Sequence, residues 1–414
     1  MARRARETLH ASRGSGCSMN ILFIHHVADL YGSSRCLLRL AARLVADGHT
    51  VASTLQEDGP LRTALEQAGV SVFLLPELPV LHRAHLARPS GWLHLFRNML
   101  RTRKTLRGVF DEFRPDLVHT NSATLLPVAG ALARKAGIPH IQHVRESFID
   151  FGFAWKLYRL LLSRRATRLI CISDYVAGTF SPRQQRTKTT TIYDGLPAGD
   201  FAAATDASAR HFVHQHEPGH PLIVLVGRIK LKRKGQDVLV RAAALLRESC
   251  PSARYALVGS PFPGNEEHLA ALRAMIRDLG LEKHIALTGH LDQPLDALAA
   301  CDISIMASST PEPLGNVTLE SMALGKAVVG TACGATPELI RDGENGFLVP
   351  PDDPAAMAAA IGRLVSDPGL RERLGTQART DFLARFEFEP HYRAVLSVYQ
   401  QSLPALEPTS SKTP

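Results

Sequence analysis

The sequence predicts an α/β protein made of two doubly wound parallel-sheet domains. Three observations carry that expectation. The chain has 414 residues, more than one ordinary core accommodates. Short β-branched apolar runs alternate with helical patterns along its whole length. A Gly-, Pro- and Ala-rich polar stretch at 193–221 interrupts the alternation.

In the first half the strand-like runs are ILFIHH, TVASTL, SVFLL, DLVHT, PHIQHV, RLICIS and TTTIY. In the second half they are LIVLVG, YALVG, IALTG, ISIMAS, AVVG and FLVP. Between them lie segments such as RCLLRLAARLVADG and DVLVRAAALLRESC, whose apolar residues share one helical face. Parallel strands separated by helices bury both sheet faces, and continuous apolar runs follow from that. The expected division is a disordered extension over 1–18, a domain over 19–195 and a linker over 196–219. A second domain over 220–385, a last helix over 386–403 and a disordered tail over 404–414 complete it. Met19 stands immediately before the first strand and is an alternative start. The two domains are expected to face each other across a cleft.

Composition narrows the class. Hydrophobic residues make up 45% of the chain, and no apolar run reaches the ~20 residues of a membrane span. The basic N-terminus lacks the apolar stretch of a secretory signal. The six cysteines are scattered without metal-ligand or disulfide-framework spacing, which points to a reducing, cytoplasmic setting and no metal site. The net charge of +9 calls for an anionic partner. Some of that charge lies in RNMLRTRKTLRGVF and WKLYRLLLSRRATR. In the first, Trp92, Phe96, Met99, Leu106 and Phe110 recur at helical spacing beside Arg97, Arg101, Arg103, Lys104 and Arg107. Two readings are open: a solvated helix with a core-facing stripe, or a surface resting on anionic lipid. Aromatic–basic interleaving of the base-stacking kind is missing, so nucleic acid is not an expected partner.

Open parallel sheets bind ligands beyond the carboxyl ends of their strands. After LIVLVG, Arg228 follows at once, and Lys234 and Gly235 precede a helix. Two cations beside a helix N-terminus form a cradle for a polyanion. After ISIMAS, the segment STPEPLGNVTLESMALG has seven residues between Glu312 and Glu320. Asn316 is the expected helix cap, and the amides of Gly315, Asn316 and Val317 would meet phosphate or sugar oxygens. An ionised carboxylate can accept from two neighbouring hydroxyls, which suits Glu320 to a ribose diol. Glu312 would face the group beyond the phosphates.

These residues resemble the retaining GT-B glycosyltransferases of family GT4. The resemblance lies in Glu312-(seven residues)-Glu320, in MALGKAVVG, in PELIRDGENGFLVPPDD and in VGR followed by KG, and it spans roughly 19–400. It implies two Rossmann-like domains, with acceptor bound by the first and nucleotide-sugar by the second, and a last helix that crosses back. It further implies that Arg228 and Lys234 bind diphosphate, Glu320 the ribose and Glu312 the sugar, with no metal or other cofactor. Gly32 and Ser33, ahead of a helix in YGSSRCLLRL, resemble the family's glycine-rich loop. His143, at the end of PHIQHV, resembles its active-site histidine, while His119, Asn121 and Ser122 are further candidates to line the cleft. The chain departs from the pattern in four places. One extra residue lies between Arg228 and Lys234, and Ala335, Asp194 and Leu314 replace a frequent Gly, Asn and Phe.

The expected reaction is transfer of a sugar from a nucleoside diphosphate to an acceptor hydroxyl, with retention. Fixed cations and helix amides would stabilise the charge growing on the departing diphosphate. The sequence leaves the acceptor open among lipid-linked saccharide, polysaccharide end, protein and small molecule. The basic helices favour a glycan or lipid-linked acceptor in cell-surface polysaccharide or glycolipid assembly, with the enzyme cytoplasmic and able to rest on the inner membrane face. A nucleotide-sugar epimerase and a non-catalytic carbohydrate or membrane adaptor are the rivals. An NAD oxidoreductase is disfavoured, because no G-x-G-x-x-G follows ILFIHH. A retaining hydrolase would need two carboxylates about 5–5.5 Å apart across the bond, a role Glu312 and Glu320 do not suggest.

Overall fold

The computed structural model describes residues 18–81, 89–125, 127–147, 152–202 and 220–404. The expected extension, much of the linker and the tail lie outside them. The chain divides into two compact units. Unit 1 is Met1–Ile172, Val176–Ile192 and Tyr392–Pro414, and unit 2 is Ser173–Tyr175 and Tyr193–His391.

Unit 1 holds a seven-stranded sheet: β1 Asn20–Ile24, β2 Thr50–Leu55, β3 Ser71–Leu74, β4 Leu117–Thr120, β5 His140–Val144, β6 Arg168–Cys171 and β7 Thr189–Thr191. Their spatial order is β3-β2-β1-β4-β5-β6-β7, and every pairing is parallel. The chain runs outward from β1 to β3 and then returns to begin β4 beside β1. The winding therefore reverses between β1 and β4, where Ile24 lies opposite Thr120. Connections at such a point diverge and leave room above the strand ends.

Unit 2 repeats the plan with six strands: β8 Leu222–Val226, β9 Arg254–Val258, β10 Ile285–Gly289, β11 Ile303–Met306, β12 Ala327–Thr331 and β13 Phe347–Val349. The order is β10-β9-β8-β11-β12-β13, again parallel, with the reversal between β8 and β11. Its core joins Ile223, Leu225, Leu257, Ile305 and Val329 of the strands to Leu239, Ala243 and Ile361 of the covering helices. Each fully buried Leu or Ile contributes roughly 1.5–3 kcal/mol of burial free energy. Packing on both faces explains why these strands have almost no polar alternation.

The helix Pro89–Phe113 departs from the expected stripe. Leu106 and Phe110 are buried, but Phe96 is 56% and Met99 36% exposed. The face turned inward is Leu95, Thr102, Leu106, Val109 and Phe110. The apolar residues Phe96, Met99 and Leu100 of the helix's first half therefore do not join the core, and Arg97, Arg101, Arg103, Lys104 and Arg107 surround them. Within unit 1 the end of the last helix, Phe388–Ser402, docks by specific polar contacts. Tyr399 Oη lies 2.5 Å from His119 Nδ1, Tyr392 Oη donates to Asp47, and Arg43 stacks 4.7 Å from the Tyr392 ring centroid. Among the described residues no helix is long and apolar enough to cross a membrane.

Candidate functional site

In unit 2 the chemistry gathers on the loops after β8 and β11. The chain leaves β8 at Gly227 and Arg228 and makes one turn, Lys234 N donating to Lys230 O at 2.9 Å. Lys232 sits in that turn at φ 60. Gly235, at φ 69, ends the turn and precedes the helix Gln236–Leu246. A Cβ on Gly235 would run into the Ala307 carbonyl at the end of β11, so only glycine fits. Ser309 N also donates to Arg233 O at 3.0 Å. The two loops are thus pressed backbone to backbone.

That closeness delivers Lys234 to Glu312. Their Nζ and Oε1 atoms are 2.7 Å apart, with side chains 30% and 13% exposed. Ser308 Oγ donates to the same oxygen at 3.0 Å. From the described residues, Glu312 Oε2 accepts nothing. The turn after β12 supports the carboxylate from behind. Gly334, at φ 62, packs so close to the Glu312 backbone that a Cβ would collide with it, and Ala335 N donates to Glu312 O at 3.0 Å. Ala335 has φ −85, an ordinary conformation, so the alanine at that position costs the turn nothing. Ser173 Oγ donates to Pro313 O at 2.5 Å, and Glu338 holds Asp174 N at 2.8 Å and Tyr175 N at 2.6 Å.

The helix Asn316–Ala323 begins at the end of this loop. Gly315, at φ 100, is its N-cap, so the expectation that Asn316 caps is corrected: Asn316 is the first helical residue. The left-handed backbone needed before the helix suits glycine, which leaves asparagine one place inside. Thr318 N turns back to Gly315 O at 3.0 Å, whereas the Asn316 and Val317 amides have no acceptor within the helix. Glu320 follows just over one turn in and is partly exposed. Arg228 takes a different place: it is exposed, and its guanidinium lies 3.8 Å from the Phe262 ring centroid. The structure therefore joins Lys234 to Glu312 directly, sets Gly315, Asn316, Val317 and Glu320 next along the same segment, and stacks Arg228 on an aromatic ring. Ser308, Gly334 and Phe262 belong to this group and were not among the expected residues. Among the described residues no cluster of three or more His, Cys, Asp or Glu could hold a metal ion.

In unit 1 the loops after β1, β4 and β5 carry a polar chain of another kind. His25 Nε2 lies 3.1 Å from Ser34 Oγ, which donates to Asp29 Oδ1 at 3.0 Å. Asn121 Nδ2 lies 3.3 Å from His25 Nδ1 and 3.3 Å from Ser33 O, and Arg145 Nε donates to Asn121 Oδ1 at 3.2 Å. Ser122 Oγ and Ala123 N both donate to Glu146. Burial, with His26 and Arg145 nearby, lowers the His25 pKa to about 3, so its ring is neutral. Gly32 and Ser33 were expected ahead of the helix, but they form its first turn, Gly32–Ala46. His143 is fully buried, its ring centroid 5.4 Å from that of His119.

Comparison with known proteins agrees with this architecture. Residues 206–381 match the family described as glycosyl transferases group 1, and residues 31–195 match the glycosyl transferase 4-like domain. The GDP-mannose-dependent alpha-(1-6)-phosphatidylinositol monomannoside mannosyltransferase of Mycolicibacterium smegmatis is 30% identical over 294 residues, 66% of this chain and 73% of that one. The lipopolysaccharide core biosynthesis glycosyltransferase LpsE of Rhizobium meliloti is 35% identical over 183 residues, 44% of this chain and 49% of that one. Among solved structures, Anabaena HepE in complex with UDP superposes with a TM-score of 0.76 at 24% identity, covering 92% of this chain and 100% of that one. The chain therefore belongs to the group 1 glycosyltransferases and is a glycosyltransferase of the GT-B fold.

Proposed function

We propose that this enzyme transfers a hexosyl group from a nucleoside-diphosphate sugar to an acceptor hydroxyl, with retention at the anomeric carbon. The observation that carries the reading is the Lys234–Glu312 pair at the β8/β11 reversal, beside the N-terminus of the helix Asn316–Ala323. A polyanion entering there meets the Lys234 ammonium, the amides of Asn316 and Val317, and Arg228. Glu312 orients Lys234 through Oε1 and offers Oε2 to a sugar hydroxyl. Glu320 accepts from the ribose diol. As the sugar–phosphate bond breaks, charge on the diphosphate grows toward cations already fixed in place, so they act most strongly in the transition state. His143, fully buried in β5, and Gly32 and Ser33, in the first turn of the helix Gly32–Ala46, keep their expected roles as part of this proposal.

Two comparisons support the donor class. The mannosyltransferase relative is GDP-mannose-dependent, and the Anabaena protein is solved with UDP. The names of the relatives also favour a glycolipid or surface-polysaccharide acceptor. No resident cofactor is required by this reading, because Arg228 and Lys234 supply the positive charge. The exposed basic helix Pro89–Phe113 is suited to resting on an anionic membrane surface.

The test is turnover with UDP-, GDP- and ADP-sugars, with and without chelator, and NMR of the product anomer. Glu320→Ala is expected to weaken donor affinity about tenfold, the loss of one charge-assisted hydrogen bond. Unchanged affinity, or an inverted anomer, removes the respective assignment.

A further inference from the structure

Away from the strand-end loops, unit 1 carries a second cationic feature that the transfer reaction does not use. A cavity of about 590 Å³ opens beside the helices Gly152–Arg165 and Pro182–Lys188. Lys156, Arg159, Arg164, Arg183 and Lys188 line it together with Leu160, and no acidic side chain does. Between residues 152 and 191 there are eight Lys and Arg and a single acid, Asp174.

Two of the cations are held in place rather than left to wave in solvent. Arg159 donates to Thr179 O, and Lys188 Nζ donates to Ala166 O at 3.0 Å. Burial, with Arg168 and Arg134 near, keeps the Lys188 ammonium below the usual lysine range, as expected inside an uncompensated positive field.

The helix Gly152–Arg165, whose Leu160 lines the cavity, also exposes apolar residues that a soluble anion would not need. Leu157, Leu160 and Leu161 are 64%, 39% and 38% exposed, and their i, i+3, i+4 spacing puts them on one helical face. The neighbours Trp155 and Leu162 supply the buried face instead, at 5% and 1% exposure. Basic groups beside an exposed leucine face match an anionic amphiphile: phosphate meets the cations, and leucines enter the acyl boundary.

We propose that this cavity is a headgroup site for an anionic phospholipid, which docks unit 1 on a bilayer with Leu157, Leu160 and Leu161 inserted. The proposal rests on the membrane-surface reading above and gives it a place distinct from the helix Pro89–Phe113.

The experiment is flotation of the full-length enzyme with phosphatidylcholine vesicles, with and without phosphatidylglycerol, at low and high salt. Binding is expected only with phosphatidylglycerol and is expected to fall as salt rises. Arg164→Gln/Arg183→Gln should lower the partition coefficient roughly 30-fold, at about a factor of five per cation removed. Leu157→Ser/Leu160→Ser should lower it as well, while thermal midpoint and turnover on a water-soluble acceptor stay at wild-type values. Wild-type vesicle binding by both double variants overturns the proposal. If Arg97→Gln/Arg101→Gln alone abolishes binding, the membrane reading survives and this cavity is not the site. If even the wild-type enzyme does not float, both fail. Oligonucleotide binding that Arg164→Gln/Arg183→Gln removes, without vesicle binding, assigns the cavity to another anion and overturns the lipid.

Discussion

The two sheets reverse their winding in the same way, yet their reversal points differ in how deeply the polar groups are buried. Beside β1 and β4 largely buried polar groups bond one another, from a partly exposed Asp29 through Ser34, His25 and Asn121 to Arg145. Beside β8 and β11 the groups are charged and partly open, with Lys234 and Glu312 paired and Arg228 exposed. Topology creates room in both places, and side chains decide its use. A largely buried hydrogen-bonded network is a rigid frame, because each buried member would be costly to leave unpaired. A partly exposed ion pair contributes modest stability but keeps two charges where a charged ligand can reach them. The proposed function puts the anionic substrate at the second reversal point.

The largest effect that tests this contrast is on catalysis. Lys234→Ala should lower turnover by about 10²–10³, the loss of one donor to developing charge, with little change in thermal midpoint. A comparable fall in stability would mean the pair is structural, and steady-state rates with melting curves separate the outcomes. Next comes the packing beneath the pair. Gly235→Ala forces both a left-handed alanine and a collision with Ala307, and should destabilise unit 2 by about 2–5 kcal/mol. Urea unfolding followed by hydrogen exchange would show whether the loss is confined to that unit.

The smallest effect belongs to the frame in unit 1. Burial lowers His25 to about 3 and His140 to about 4, from an ordinary 6.5. Between those values and 6.5 the unfolded chain binds protons that the folded chain refuses. This contribution is therefore complete above pH 6.5 and is lost as pH falls toward 4, about 1–2 kcal/mol per histidine by pH 5. Hydrogen exchange at pH 7 and pH 5 should show unit 1 loosening first, and His25→Gln should flatten the dependence. Equal loss in both units would break the contrast.

The strands were legible because parallel strands buried on both faces leave unbroken apolar runs, and all thirteen expected runs contain a strand. The cationic loop and the Glu312–Glu320 segment were legible too, since both lie next to strands in the chain. The long-range contacts were not. Nothing in local spacing announces that Lys234 meets Glu312 across 78 residues, or that Phe262 lies under Arg228. The helix Pro89–Phe113 misled for a related reason. Its apolar residues outnumber the positions that can face the core, and periodicity does not say which face packs. Asn316 looked like a cap by residue type, but backbone handedness placed Gly315 there.

The fit of Gly235 against Ala307 has a consequence for anyone re-engineering this enzyme. Because the loops after β8 and β11 share a contact too tight for any side chain, neither can be transplanted alone from a homologue with a different backbone path. A chimera aimed at new sugar preference should exchange the two segments as one cassette, and single-loop swaps should yield insoluble protein.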